Sequence, residues 1–188
     1  MTDQATPLAN LLGDIRQLGY VVEDLDTAVA AWSTQLRVGP WTIIKNIPLA
    51  SVYRGIPSTP VIDIALGYRG ALQIELIRQT NDAPSPYRES IARRQFGLHH
   101  TAFMAKDIHA TVCALQARGL KVECDIQQMP GAGRYVYFAS PVPDERSFIE
   151  ILEATPQNQA LFEQGVPAAA HWDGRTAPTV IDFAALGS

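Results

Sequence analysis

Apolar positions along the chain change their period in a fixed order, and the order occurs twice. Residues 16–22, RQLGYVV, are a short apolar run with Val, Tyr and Leu, the composition of a buried strand. The next apolar positions, Leu25, Val29, Trp32 and Leu36, fall at helical spacing. Asp24 stands in front of them as an N-cap, its carboxylate placed to accept from the first free amides. Gly39 and Pro40 stop that helix, and WTIIKNI (41–47) reads as a strand. Residues 47–59, rich in Pro, Ser and Gly, read as a loop carrying Tyr53 and Arg54. PVIDIALGY and ALQIELI then read as two strands joined at a tight turn. After a polar stretch the series starts again. LHHTAFMA reads as a strand, Asp107 caps a helix that Gly119 closes, and LKVECDI, RYVYFAS and SFIEILE are three more strands.

This order predicts an α+β fold of two βαβββ modules. Residues 1–14 form a lead-in, 15–78 the first module, 79–96 a linker interrupted by Pro84 and Pro86, 97–154 the second module and 155–188 a C-terminal extension. One module covers a single face of its sheet with its helix. Two modules curving together line the other face, so the expected architecture is a curved cleft between them. Unpaired strand edges, and an extension carrying Trp172 and Phe183 that must pack on the body or on a partner chain, predict a homodimer.

Strand alternation decides which side chains enter the cleft. Gln17, Gly19 and Val21 share one face of the first strand. Sliding IRQLGYVVEDL onto GLHHTAFMAKDI by 83 residues puts His100 at the place of Gln17 and Asp107 at that of Asp24. The last strand of each module carries an acid in an apolar run, Glu75 in LQIELI and Glu150 in FIEIL. Gln17, Glu75, His100 and Glu150 therefore converge. Two carboxylates facing each other in an apolar cleft are costly unless a cation joins them. One imidazole, two carboxylates and an amide oxygen suit a divalent ion: Zn, Ni, Co, Mn, Fe or Mg. Val21, Ala102, Met104 and Phe148 would line the cleft.

Other polar residues carry weaker signals. His99, next to His100, is expected on the opposite face as a packed histidine. Arg134 and Tyr137, on the seventh strand, and Tyr53 and Arg54, on the 47–59 loop, are substrate-binding candidates; a solvated strand end or loop is the plainer reading of the arginines. PGAGR (130–134) lacks the strand and helix context of a phosphate-binding loop. His109 is expected to face solvent.

Composition excludes several classes. With 188 residues at 47% hydrophobic content the chain buries an ordinary core. A net charge of −4 gives no basic footprint for nucleic acid or anionic lipid. Cys113 and Cys124 match no zinc spacing or disulfide framework and read as small buried hydrophobes. No signal-peptide pattern or bilayer-length apolar run is present, so a soluble cytoplasmic protein is expected.

The paired Q/H-x-G-x-x-V-x-D-L and I-E-L patterns resemble the vicinal oxygen chelate superfamily of glyoxalase I, methylmalonyl-CoA epimerase, extradiol dioxygenases and bleomycin-resistance proteins. The resemblance covers residues 15–153 and is nearest the glyoxalase-epimerase branch. It implies that Gln17, Glu75, His100 and Glu150 hold a divalent metal. It further implies a small-molecule substrate and a metal-dependent isomerase, epimerase or lyase, with Glu75 or Glu150 removing a proton next to a metal-polarised carbonyl or enediolate. Epimerases of that branch carry His where this chain has Gln17, so their substrate does not transfer. Two alternatives stand beside it: a metal-free protein of the same fold that binds a drug or aromatic molecule, and an Fe(II) extradiol dioxygenase. The dioxygenases use two His and one Glu, and here only His100 stands at a ligand position.

Overall fold

The structure, a computed structural model, describes residues 7–129, 133–142 and 146–187. The start of the lead-in and the first three residues of PGAGR lie outside them. In chain order the elements are α1 (Ala9–Leu12), β1 (Gln17–Val21), α2 (Leu25–Leu36), β2 (Thr42–Pro48), β3 (Ala50–Tyr53), β4 (Ile56–Ser58), β5 (Val61–Arg69) and β6 (Leu72–Gln79). There follow α3 (Pro86–Ala92), β7 (Gly97–Ala105), α4 (Ile108–Ala117), β8 (Val122–Met129), β9 (Gly133–Ala139) and β10 (Phe148–Glu153). The chain ends in α5 (Pro156–Ala170), β11 (Thr179–Asp182) and a 3-10 turn (Phe183–Gly187). Asp24 and Asp107 cap α2 and α4, accepting from the amides of Thr27 (2.8 Å) and Ala110 (2.9 Å).

The strands form one curved sheet in the order β11-β2-β5-β6-β1-β7-β10-β9-β8-β3-β4. In each half the last strand lies parallel beside the first, β6 on β1 and β10 on β7. The two first strands meet antiparallel at the centre. The central four strands are therefore β6, β1, β7 and β10, which carry Glu75, Gln17, His100 and Glu150. The convex face is covered by helices. Leu25 and Val29 of α2 pack on Trp41, Ile43 and Leu76, and Ile108, Val112 and Leu115 of α4 pack on Val136, Phe138 and Ile151. The concave face holds a third cluster, in which Ile47, Ile64, Ile126 and Leu152 meet Phe162 of α5.

Four features depart from the sequence reading. The 47–59 loop is a hairpin, β3–β4, turning through Arg54 (φ 48°) and Gly55 (φ 82°), the left-handed pair of a two-residue hairpin turn. Its first strand pairs with β8 of the other module. The linker contains α3, which starts as helices do: Ser85 accepts from the Arg88 amide at 2.9 Å, and Pro86 occupies the first turn. Cys113 is exposed; only Cys124 is buried. The free edges also lie elsewhere than the two modules imply: β3–β4 covers the β8 edge and β11 covers β2, which leaves β4 and β11 outermost. The extension packs back on the body, with the Trp172 ring in the space a side chain at Gly39 would need and Phe183 on the concave core. No helix among the described residues is long and apolar enough to cross a membrane.

Candidate metal centre

The four polar residues singled out by the repeat stand together on the concave floor. Ligand atoms of Glu75, His100 and Glu150 all lie within 4.8 Å of one another. His100 Nε2 is 3.4 Å from Glu75 Oε2, 3.0 Å from Glu150 Oε2 and 3.3 Å from Gln17 Oε1. His100 is fully buried, Glu150 and Gln17 almost so. The strand register explains the closeness: Gly19 of β1 lies between Glu75 and His100, and Ala102 pairs with Glu150. With no side chain at 19, the imidazole crosses the strand towards the carboxylates.

Neighbouring groups decide which atoms face the centre. The Gln17 amide donates through Nε2 to Gln73 Oε1 (2.6 Å), which leaves its oxygen for the site. Gln73 in turn donates to the Tyr68 hydroxyl (2.5 Å), and Tyr68 donates to the Leu161 carbonyl of α5 (2.9 Å). On the other side, His100 Nδ1 lies 3.1 Å from His99 Nδ1. His99 is on the concave side, not the opposite face, because the β1–β7 register jumps from the Gly19–His100 pair to Tyr20–Leu98. His99 is the extra residue of this bulge, and a bulge re-aims its side chains. Its ring packs between Tyr87 (5.0 Å) and Phe148 (4.9 Å). With His99 accepting from Nδ1–H, Nε2 of His100 presents its lone pair to the centre.

The set fits a divalent cation. Glu150 Oε2 is buried, with the His100 ring nitrogen 3.0 Å away. Burial pushes the Glu75 pKa up, with Glu150 adding to it and His100 opposing. Burial alone would lower the His100 pKa, but the carboxylates of Glu150 and Glu75 outweigh it and raise it to about 10. Without a metal, a proton on His100 partly balances the acids; a divalent ion would balance them in full.

Above the floor is a cavity of about 310 Å³. Its walls are largely aliphatic, with Ile47, Ile62, Ile64 and Ile126 among them, and Tyr87, Tyr135 and Tyr137 lie near the carboxylates. The Tyr87 and Tyr137 hydroxyls are 2.8 Å apart, and burial raises both pKa values well above the usual tyrosine range.

A family model described as the glyoxalase/bleomycin resistance protein/dioxygenase superfamily matches residues 16–138. The chain belongs to this superfamily. Among solved structures, methylmalonyl-CoA epimerase from Mycobacterium tuberculosis is similar, with 20% identity over 80% of this chain and 93% of that one, TM-score 0.53. So is the Streptomyces coelicolor methylmalonyl-CoA epimerase in complex with 2-nitronate-propionyl-CoA, at 18%, 76% and 97%, TM-score 0.51. A hypothetical protein from Bacillus halodurans matches at 18%, 76% and 94%, TM-score 0.55. At these identities the likeness concerns the fold. No curated protein matches the sequence.

The α5–β11 segment lies beyond the part matched to the superfamily, yet it roofs the cavity with Leu161, Phe162, Ile181 and Phe183. Of the four substrate-binding candidates, Tyr137 lines the cavity and the other three do not. Tyr53 is buried in the concave core. Arg54 is paired with Glu89 (2.5 Å) and Glu123 (2.6 Å). Arg134 is held by both oxygens of Asp125, at 2.9 and 2.7 Å, because alternation on β9 sends Tyr135 and Tyr137 inward and Arg134 out. Val21, Ala102, Met104 and Phe148 belong to the concave core but do not line the cavity. The sequence reading missed Gln73, Tyr87, Asn158 and Phe162. Gln73 had a visible signal, since it stands two residues before Glu75 on the same strand face.

Proposed function

We propose that the protein is a metal-dependent isomerase, epimerase or lyase that removes a proton from carbon next to a carbonyl. The observation that carries this reading is the convergence of two carboxylates, an imidazole nitrogen and an amide oxygen on the floor of a largely apolar cavity. Gln17, Glu75, His100 and Glu150 would hold the ion, which supplies Lewis-acid polarisation of a substrate oxygen.

The chain's own groups do the rest. Glu75 or Glu150, whichever swings free of the ion, takes the proton from carbon as general base. Returning that proton to the opposite face gives epimerisation; returning it to the adjacent carbon gives isomerisation. Aliphatic walls keep water from the carbanionic carbon, and Tyr137 stands where its hydroxyl can donate to a developing oxygen charge. The extradiol reading needs a second histidine on the ion. His99 faces His100 through Nδ1 and is not among the converging ligand atoms, so the arrangement favours proton transfer.

The experiment is metal loading followed by deuterium exchange. Protein stripped with EDTA is titrated with Ni²⁺, Co²⁺, Zn²⁺ or Mn²⁺ and incubated with small α-hydroxy ketones in D₂O, with loss of the α-proton followed by NMR. One ion per chain and metal-dependent exchange are expected. No stoichiometric metal and no exchange would leave a metal-free binding protein.

A further inference from the structure

The substrate class of this site is legible in its charges. All fifteen Lys and Arg of the chain are among the described residues, and none lines the cavity. Arg54 and Arg134 are paired with acids outside it, and the Arg16 guanidinium lies 4.8 Å over the Phe162 ring. A divalent ion and two carboxylates sum to zero, and a neutral imidazole and an amide add nothing. The loaded floor is therefore formally neutral, and the metal-free floor is negative. An anionic group in this aliphatic cavity would lose its hydration without gaining a counter-charge, which is among the costlier events in a protein interior. A neutral oxygen finds hydroxyl and amide partners in Tyr137, Tyr87 and Gln157.

Size and closure point the same way. About 310 Å³ is at the low end of ligand pockets, which run from about 300 to 1,000 Å³. The roof is docked onto the sheet: Tyr68 bonds the Leu161 carbonyl, and Gly165 lets α5 approach because any side chain there would overlap the Tyr68 ring. Phe162 stands edge-on to Tyr68 at 6.0 Å, and β11 pairs with β2, bringing Ile181 and Phe183 over the opening.

We infer that the site takes a compact, neutral, largely apolar carbonyl compound, and that the C-terminal segment α5–β11 is the part of the chain that selects it. The inference rests on the reading of the centre given above but is tested without turnover. Calorimetric titrations compare 2-hydroxy-3-octanone, the anion 2-hydroxyoctanoate and methylmalonyl-CoA, on metal-free protein and on protein loaded with Ni²⁺. The hydroxy ketone is expected to bind at least tenfold more tightly than the carboxylate in both states, with no saturable heat from the thioester. Equal or tighter binding of either anion, or no binding of the ketone, overturns the inference. Leu161→Arg, at a roof position 40% exposed, should bring the carboxylate to parity or better. Ile181→Arg, 36% exposed, is the second variant should the first not fold. An unchanged ketone-to-carboxylate ratio in a folded variant shows that the segment does not select. The metal-free arm reads the cavity alone: ketone selectivity without stoichiometric metal binding sinks the metal-enzyme reading and leaves this one standing.

Discussion

The imidazole of His100 occupies the space that a side chain at position 19 would fill. Gly19 lies directly across from His100 in the β1–β7 ladder, and a Cβ built there overlaps three atoms of the ring. The glycine is thus part of the centre, since it lets the imidazole cross β1 to meet Glu75 on β6. Gly19→Ala should push the ring off the carboxylates. Overpacking of this kind costs about 1–3 kcal/mol, and metal affinity should fall more sharply than melting temperature. Calorimetric metal titration beside a thermal melt separates the two; an alanine variant that binds metal like the parent would show that the ring can move without harm.

Glu150→Gln tests the base. Glutamine preserves size and still offers an oxygen, so the strand should keep its packing while basicity is lost. Proton exchange at carbon should drop by about 10²–10⁴-fold if Glu150 is the base. A variant that exchanges at the parent rate would transfer the role to Glu75, with Glu75→Gln as the next measurement.

Metal binding should release protons. In the metal-free protein His100 has its pKa raised to about 10, so at pH 7 its Nε2 carries a proton that the ion must displace. Calorimetry with Ni²⁺ in buffers of different ionisation enthalpy should show about one proton released per ion. Affinity should climb roughly tenfold per pH unit between pH 6 and 8 from this group. The sign for stability is opposite. A histidine pKa raised on folding contributes stability that is fully present below its unfolded value near 6.5 and is lost as pH rises through about 10, so the metal-free protein should melt lower at pH 9.5 than at pH 6.5.

Tyr68→Phe should act on the centre from a distance. The hydroxyl links the Leu161 carbonyl of the roof to Gln73, and Gln73 holds the Gln17 amide with its oxygen towards the site. Its loss leaves buried partners unmatched, a cost of about 1–3 kcal/mol. Releasing the Gln17 amide should lower metal affinity by about 10–100-fold, the usual effect of losing a partner behind a ligand. Unchanged Ni²⁺ affinity in a folded Tyr68→Phe protein would show that Gln17 needs no such support.

The duplicated strand-helix-strand pattern, the two aspartate caps and the floor residues were legible in the sequence because each rests on local periodicity. A strand exposes alternate residues to one face wherever it lies, so Gln17 and His100, or Glu75 and Glu150, could be matched without knowing the fold. Only the tertiary structure decided the rest, and in each case a distant partner was the deciding agent. His99 turned inward because β7 bulges against β1, a property of the pair of strands. Arg54 stands apart from the cavity because folding brings Glu89 and Glu123 to it, and Arg134 because Asp125 faces it from β8. Tyr87 reached the cavity because α3 folds back over the sheet, and the roof exists because Gly165 and Tyr68, far apart in sequence, allow α5 to dock. Periodicity tells a side chain which face of its own element it takes; what stands opposite that face is settled only when the elements pack.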